Sequence, residues 1–138
     1  MAVKLPISAA FFPKNIKIWG DTQTILLNES SHVAFAKLNK GGYSSRHSHN
    51  VSWNRFFIIS GTLRITVYRN NQEENILLNS GECLDIEPGL EHRMAALEYT
   101  EIIEMYWTDD NSVVDPKDII RKDTGGFYGK EEEEQSRG

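Results

Sequence analysis

Short runs of strand-forming residues follow one another along most of this chain. Apolar and polar positions alternate within several of them, and Ile, Val, Phe, Tyr, Thr and Leu are abundant, as is typical of half-buried strands. The predicted strands are Ile16–Trp19, Thr24–Leu27, His32–Leu38, Tyr43–Asn50, Arg55–Ser60, Thr62–Arg69, Asn75–Leu78, Glu82–Glu87, His92–Ala96 and Glu101–Thr108. Gly- and Asn-rich turns separate them. Many short strands at regular spacing predict an all-β sandwich or barrel.

One helix signal stands out, near the C-terminus. Asp115 is a good N-cap, Pro116 suits the first helical position, and Asp118 lies favourably in the first turn. Two isoleucines follow, and Gly125-Gly126 would end the segment. The pattern predicts a short C-terminal helix packed against the barrel.

The chain is predicted to form one domain over residues 1–128. We find neither an internal repeat nor a linker long enough to divide this region. The remaining residues, 129–138, contain the run Glu131–Glu134 and end in polar residues. Because unpaired like charges favour disorder, we expect an acidic disordered tail.

Composition narrows the class of partner. The net charge of −5 argues against a general nucleic-acid binder, which needs a basic surface. No apolar run approaches the roughly 20 residues that would cross a membrane, and Pro6 and Pro13 interrupt the N-terminus where a secretory signal would be continuous. A single cysteine, Cys83, cannot form an intramolecular disulfide. We therefore expect a cytoplasmic protein that binds a small molecule.

Two histidines, His47 and His49, stand two positions apart in a predicted strand. Residues i and i+2 of a strand point to the same face, so both imidazoles could reach one ion. Imidazole suits Zn, Fe, Ni, Mn or Cu. The spacing alone is weak evidence, because two histidines on one strand are more often surface or core residues.

The context of these histidines resembles the two motifs of the cupin superfamily. The first motif is Gly, five residues, His-x-His, a Glu and a later Gly, which matches Gly41 to Gly61 with Asn54 at the Glu position. The second is matched from Gly81 to His92, with Glu87 in place of a proline. The resemblance implies a single-domain cupin, a jelly-roll barrel (double-stranded β-helix). It also implies one divalent metal ion (Zn, Fe, Ni or Mn) on His47, His49, His92 and Asn54.

Asn54 is the main departure from the cupin pattern. An amide oxygen can ligate a metal but carries no charge, so we expect weaker binding of hard ions such as Mn²⁺ and a preference for imidazole-friendly ions. The change also removes a possible general base. The alternative is a metal-free cupin whose histidines line a ligand pocket. His32 lies outside both motifs and is not expected to be a ligand.

The second half of the chain is similar to the cupin domain of type II mannose-6-phosphate isomerases. The likeness covers about residues 57–128, including Glu87–Arg93, the strand Glu101–Trp107 and the segment Asp115–Arg121. It implies a metal-dependent isomerase or epimerase of a sugar or sugar phosphate. Tyr106 departs from this family, which has Gln there, and so does Asn54.

Several residues are candidates for chemistry and for substrate binding. Glu104 and His92 could move protons, although alternation alone does not say which face of the last strand is buried. Arginine suits anion recognition, and aromatic side chains suit a sugar or another flat ligand. The substrate-binding candidates are Arg46, Arg55, Trp53 and Tyr106, with Arg64 as a further arginine.

Three functions stay open at this point. The first is the sugar-phosphate isomerase or epimerase; the second is a metal-dependent dioxygenase of a small organic molecule; the third is a non-catalytic sugar-binding cupin. Because cupins commonly pair through edge strands, and exposed edges seek partners, we also expect a homodimer.

Overall fold

The computed structural model describes residues 2–4 and 13–128, which contain thirteen strands and no helix. The strands are β1 Asn15–Lys17, β2 Gly20–Leu27, β3 His32–Leu38, β4 Gly42–Tyr43, β5 His47–Ser48, β6 Trp53–Ser60, β7 Thr62–Arg69, β8 Gln72–Asn79, β9 Cys83–Ile86, β10 Glu91–Ala96, β11 Thr100–Trp107, β12 Ile120–Arg121 and β13 Gly126–Phe127. The all-β prediction is confirmed.

Two antiparallel sheets form the barrel. The first has the order β1-β2-β3-β11-β6-β9. In the second, the path β12-β5-β10-β4-β13 is joined by β7, which pairs with β10, and by β8, which pairs with β7. Strands β4 and β5 both pair with β10, so they are two pieces of one interrupted strand. The sequence predicted this region as a continuous strand, Tyr43–Asn50.

Successive rows of the first sheet change from apolar to polar toward one end of the barrel. Ile102 pairs with Ala36 on one side and Ile58 on the other, and all three are fully buried. Two residues further along β11, Glu104 is the central residue of the next inward row. The row after that is His32, Tyr106 and Asn54. Because side chains alternate between faces along a strand, this register places a polar pocket above an apolar core.

A tight turn joins β6 to β7 at Gly61, which has φ +94°. A Cβ atom there would lie 2.5 Å from the carbonyl oxygen of Tyr99. Only glycine adopts this backbone conformation without strain and leaves room for that carbonyl. The turn therefore explains the glycine that closes the first sequence motif.

The predicted C-terminal helix is wrong. Asp115 does cap a turn, because its side chain accepts the N–H of Lys117 at 2.9 Å, but the chain then enters β12, which pairs with β5. The capping signal is local, whereas the pairing with β5 and the contacts of Asp118 described below are tertiary interactions that override it. The predicted acidic tail, 129–138, lies outside the described residues. Within the described part of the chain, no helix could cross a membrane.

Candidate metal centre

Three histidines meet at the polar end of the barrel. His47 lies directly opposite His92 in the β5–β10 pair, and His49 follows β5 by one residue. One nitrogen from each of the three lies within 4.8 Å of the others. The ring centroids are 4.5 Å apart for His47 and His92, and 5.2 Å apart for His47 and His49. The prediction that these three side chains are positioned to bind one metal ion is confirmed.

Backbone carbonyls fix the tautomer of each imidazole. The Nδ1 atoms of His47, His49 and His92 lie 2.7, 2.6 and 2.9 Å from the carbonyl oxygens of Ser45, Asp118 and Leu90. A carbonyl can only accept, so each Nδ1 carries the proton and each Nε2 keeps a lone pair. Histidines that hold metals are oriented in this way by a second hydrogen bond.

The free nitrogens fit a metal ion. The Nε2 atoms of His49 and His92 are buried and have no hydrogen-bond partner among the described residues. A buried polar atom without a partner is costly, and an ion held between these atoms would satisfy both. The three imidazole donors and the two unpartnered Nε2 atoms therefore both fit a bound metal ion.

Burial also keeps the three imidazoles neutral. It lowers the pKa of His47 to about 3, with the neighbouring His92 adding to the effect, and it lowers the pKa of His92 to about 4. The pKa of His49 is lowered too, again mainly by burial. At neutral pH no proton has to leave before a metal binds.

Asp118 anchors the loop that carries His49. Its carboxylate accepts the backbone N–H groups of Asn50, Val51 and Ser52 at 2.8, 3.0 and 3.0 Å, while its own carbonyl accepts from His49. Burial alone would raise the pKa of Asp118, but these backbone hydrogen bonds outweigh it and lower the pKa. One residue thus fixes both the loop and a candidate ligand.

A cavity of about 410 Å³ adjoins the metal centre. This size suits a small-molecule ligand. His47 and His49 line it from the second sheet, and strands β1, β2, β3 and β11 line it from the first. Its polar wall includes Lys17, Thr24, His32, Glu104, Tyr106 and Arg121.

Glu104 and Tyr106 form a hydrogen-bonded pair in the cavity wall. The Tyr106 hydroxyl donates to the Glu104 carboxylate, and Glu104 is only 8% exposed. Burial raises the pKa of both side chains. The Tyr106 ring lies 5.4 Å from that of His49 and 5.2 Å from that of His32. The buried face of this strand, which the sequence left open, therefore carries the carboxylate next to the metal centre.

Asn54 is buried and has no partner for either end of its amide among the described residues. It occupies the inward face of β6 opposite Tyr106. Its role as a fourth ligand stays a prediction, supported by the unpartnered Oδ1 atom.

Four of the substrate-binding candidates do not line the cavity, and one of them, Arg64, donates to the Tyr128 hydroxyl at 3.3 Å. Arg46 forms an ion pair with Glu91 at 2.6 Å, and Arg55 forms a two-bond pair with Asp85. Trp53 donates its indole N–H to a surface carboxylate, 3.1 Å away. Their role in substrate binding stays a prediction. Tyr106 does line the cavity.

Sequence reasoning missed four residues that do shape the site. Arg121 and Asp118 were assigned to a helix, and Lys17 and His32 were given no role. Strand alternation over Asn15–Lys17 could have shown that Lys17 lies on the same face as Asn15. Only the pairing of Arg121 with His47 between β12 and β5 shows that this arginine lies at the site.

Comparison with known proteins identifies the domain. A family model described as "Cupin domain" matches residues 34–109. Oxalate decarboxylase from Bacillus subtilis is similar in structure, with a TM-score of 0.71 and 14% identity over 88% of this chain and 33% of that one. CapF, in a complex with the inhibitor 3-isopropenyl-tropolone, has a TM-score of 0.65 and 20% identity over 80% of this chain and 33% of that one.

A conserved protein of unknown function from Streptococcus pyogenes has a TM-score of 0.55 and 21% identity, over 63% of this chain and 72% of that one. These identities show a shared fold and no more. This chain spans about a third of the length of the decarboxylase chains it matches. No curated protein matches the sequence.

Proposed function

This chain belongs to the cupin family, and from that premise we propose that it is a metal-dependent isomerase or epimerase of a sugar or sugar phosphate. The observation that carries the proposal is that two features line the same cavity. One is the neutral three-histidine centre; the other is the buried pair of Glu104 and Tyr106. Such a pairing of a metal centre with a protected carboxylate suits proton transfer.

His47, His49 and His92 would hold the ion, with the Asn54 amide oxygen as a fourth ligand. Because all four donors are neutral, we propose an ion that imidazole prefers, such as Zn²⁺, Fe²⁺ or Ni²⁺, over Mn²⁺. When bound, the ion would act as a Lewis acid on a substrate carbonyl or hydroxyl oxygen.

Glu104 is the proposed general base. For isomerisation it would take the proton from the carbon beside a substrate carbonyl and return it to the former carbonyl carbon, while the hydroxyl proton moves to the former carbonyl oxygen. For epimerisation a proton would return to the other face of the same carbon. No oxidant or co-reactant is then needed. Burial raises the pKa of Glu104, which makes the carboxylate a stronger proton acceptor. Tyr106 would orient the carboxylate, and His92 would contribute as a ligand.

A dioxygenase is the second candidate. The observation in its favour is that the three candidate ligands of the described residues are all imidazoles, with no carboxylate among them, so a bound ion would keep positions open for substrate or oxygen. A non-catalytic sugar-binding cupin would follow if the loss of Glu at Asn54 had abolished chemistry.

Metal analysis and turnover separate these functions. We expect one ion per chain in the wild type, lost in His47→Ala and retained in His32→Ala, a control histidine outside the centre. Mannose 6-phosphate and fructose 6-phosphate should interconvert, and Glu104→Gln should keep the ion but lose activity by about 10²–10⁴-fold, the usual worth of a general base.

Several results would contradict the proposal. Equal metal content in the wild type and His47→Ala would remove the metal centre. Oxygen consumption by the iron-loaded protein without isomerisation would favour the dioxygenase. Ligand binding without turnover of any sugar or sugar phosphate would favour the binding module.

The homodimer also stays a proposal. Among the described residues, strand β1 is an edge of the first sheet, and Ile16 on it and Ile18 just after it are 74% and 68% exposed. Exposed apolar side chains beside an unpaired edge favour association. Light scattering should give the mass of two chains, and a charge at Ile16 should shift it toward one.

A further inference from the structure

We propose that Lys17 and Arg121 form an anion-binding pair that selects a substrate with a phosphate or carboxylate group. The inference rests on the proposed function, because it specifies what enters the same cavity. Both residues line the cavity, on walls contributed by different sheets.

The sheet register directs Arg121 toward the metal centre. Arg121 lies directly opposite His47 in the β12–β5 pair. Residues that face each other across an antiparallel pair project to the same side of the sheet. The charge of Arg121 acts on His47, His49 and Tyr106. The guanidinium is thus close to both halves of the proposed active site.

Lys17 approaches the cavity from the opposite wall. It lies on β1, two residues after Asn15, which also lines the cavity. Partial burial, followed by the charge of Arg121, lowers the pKa of Lys17, whereas Glu104 raises it. The two cations therefore line the same cavity from walls that belong to different sheets.

Neither cation has an ion-pair partner in residues 2–4 or 13–128. By contrast, Arg46, Arg55 and Arg93 each form an ion pair with a carboxylate. The cavity lining contains three carboxylates. Glu104 accepts the Tyr106 hydroxyl, Asp115 accepts the N–H of Lys117, and Asp118 accepts three backbone N–H groups. None of them forms an ion pair with Lys17 or Arg121 among the described residues.

Two cations that line one cavity, without an ion-pair partner among the described residues, would be neutralised by an anion bound between them. Guanidinium and ammonium groups are the usual ligands of phosphate and carboxylate. Because these groups sit beside the metal centre and Glu104, an anionic substituent would anchor the substrate while the rest of it reaches the reacting groups.

The test is calorimetric titration of the metal-free and Zn²⁺-loaded protein with inorganic phosphate, mannose 6-phosphate, gluconate and mannose. The double variant Lys17→Gln/Arg121→Gln removes the pair. The matched control Lys14→Gln/Lys117→Gln removes the same charge from two exposed lysines that do not line the cavity. Lys17→Arg/Arg121→Lys keeps both charges, and thermal melting reports the folding of each variant.

We expect the double variant to weaken binding of the anionic ligands by at least 100-fold, since it removes two hydrogen bonds to charged groups, each of which contributes about tenfold or more. Binding of mannose should stay within threefold, as should every ligand in the matched control. The charge-keeping variant should retain most of the affinity. The loss must also appear with inorganic phosphate in the metal-free protein, where no ion can bind the anion directly.

The outcomes separate the inference from the proposed function. If binding of the phosphate ligands depends on the pair, a sugar-phosphate substrate is supported. If only gluconate binding depends on it, the pair is supported, but a sugar phosphate is excluded as the substrate. Isomerisation with no dependence on the pair, or an equal loss in the matched control, overturns the inference and leaves the isomerase standing. Pair-dependent anion binding without isomerisation keeps the inference and removes the isomerase.

Discussion

Asp118→Ala is the sharpest test of how the fold holds its metal centre. The substitution removes a carboxylate that accepts three backbone N–H groups, at 2.8, 3.0 and 3.0 Å. Ser52, which supplies one of the three N–H groups, is buried, so this N–H would be left without a partner where solvent cannot reach it. At about 1 kcal/mol net for each bond, we expect the free energy of unfolding to fall by about 3 kcal/mol.

The same substitution should weaken metal binding. The carbonyl of residue 118 remains, but the turn that aims it at His49 Nδ1 is no longer tied to the loop. Loss of such an orienting contact costs about 10–100-fold in metal affinity. Urea unfolding measures the first effect, and calorimetric titration with Zn²⁺ measures the second.

Asp110→Ala is the matched control, because Asp110 accepts one backbone N–H, from Ser112 at 3.0 Å, in a turn that does not line the cavity. It should cost less than about 1 kcal/mol and leave Zn²⁺ affinity unchanged. If Asp118→Ala unfolds like this control and binds Zn²⁺ as tightly as the wild type, the anchoring role assigned to Asp118 is wrong.

Three further predictions concern ligand charge, pH and an arginine. Asn54→Glu should raise Mn²⁺ affinity at least tenfold in calorimetric titration, because it adds a charged oxygen donor; no gain in a folded variant would exclude residue 54 as a ligand. His47 and His92 have folded pKa values of about 3 and 4, below their ordinary 6.5. The unfolded chain therefore takes up protons first as pH falls below 6.5, and the metal-free protein should lose about 2 kcal/mol per histidine by pH 5. His47→Gln should reduce this loss by about 2 kcal/mol in urea unfolding, and equal stability of the wild type at pH 7.5 and 5 would refute the prediction. Arg55→Ala should leave substrate affinity unchanged, because its guanidinium is paired with Asp85 outside the cavity; a tenfold loss would restore Arg55 as a substrate-binding residue.

The metal centre could be predicted because the evidence for it lies in short sequence motifs. His47 and His49 are two residues apart, and the second motif ends on His92 after a Pro-Gly turn. Strand alternation and motif spacing together brought three side chains to one point, and the β5–β10 register agrees. Most strand positions were found in the same way, from period-two patterns and the Gly and Asn residues between them.

The remaining parts of the site depend on contacts that sequence periodicity does not encode. Asp115 and Pro116 form a sound helix-start signal, yet Asp118 bonds to a loop that is 66 to 68 residues away in sequence. Arg121 enters the cavity only because the two-residue strand β12 pairs with β5. A strand this short has no periodicity to detect, so long-range pairing decided both its structure and the position of its arginine.

The meaning of Asn54 changes once the rows of the barrel are known. Judged on sequence, a neutral amide in place of Glu removed both a ligand charge and a possible base, and this was the strongest argument against catalysis. The register puts Asn54 opposite Tyr106, whose hydroxyl bonds to Glu104 in the adjacent inward row. A buried carboxylate is therefore present beside the centre although it is absent from residue 54. A carboxylate bound to a metal is a poor base, because the ion stabilises its charged form. Glu104 is held by a tyrosine instead, and burial raises its pKa, so it can take up a proton. The substitution at Asn54 thus weakens the case for a hard metal ion without weakening the case for proton transfer.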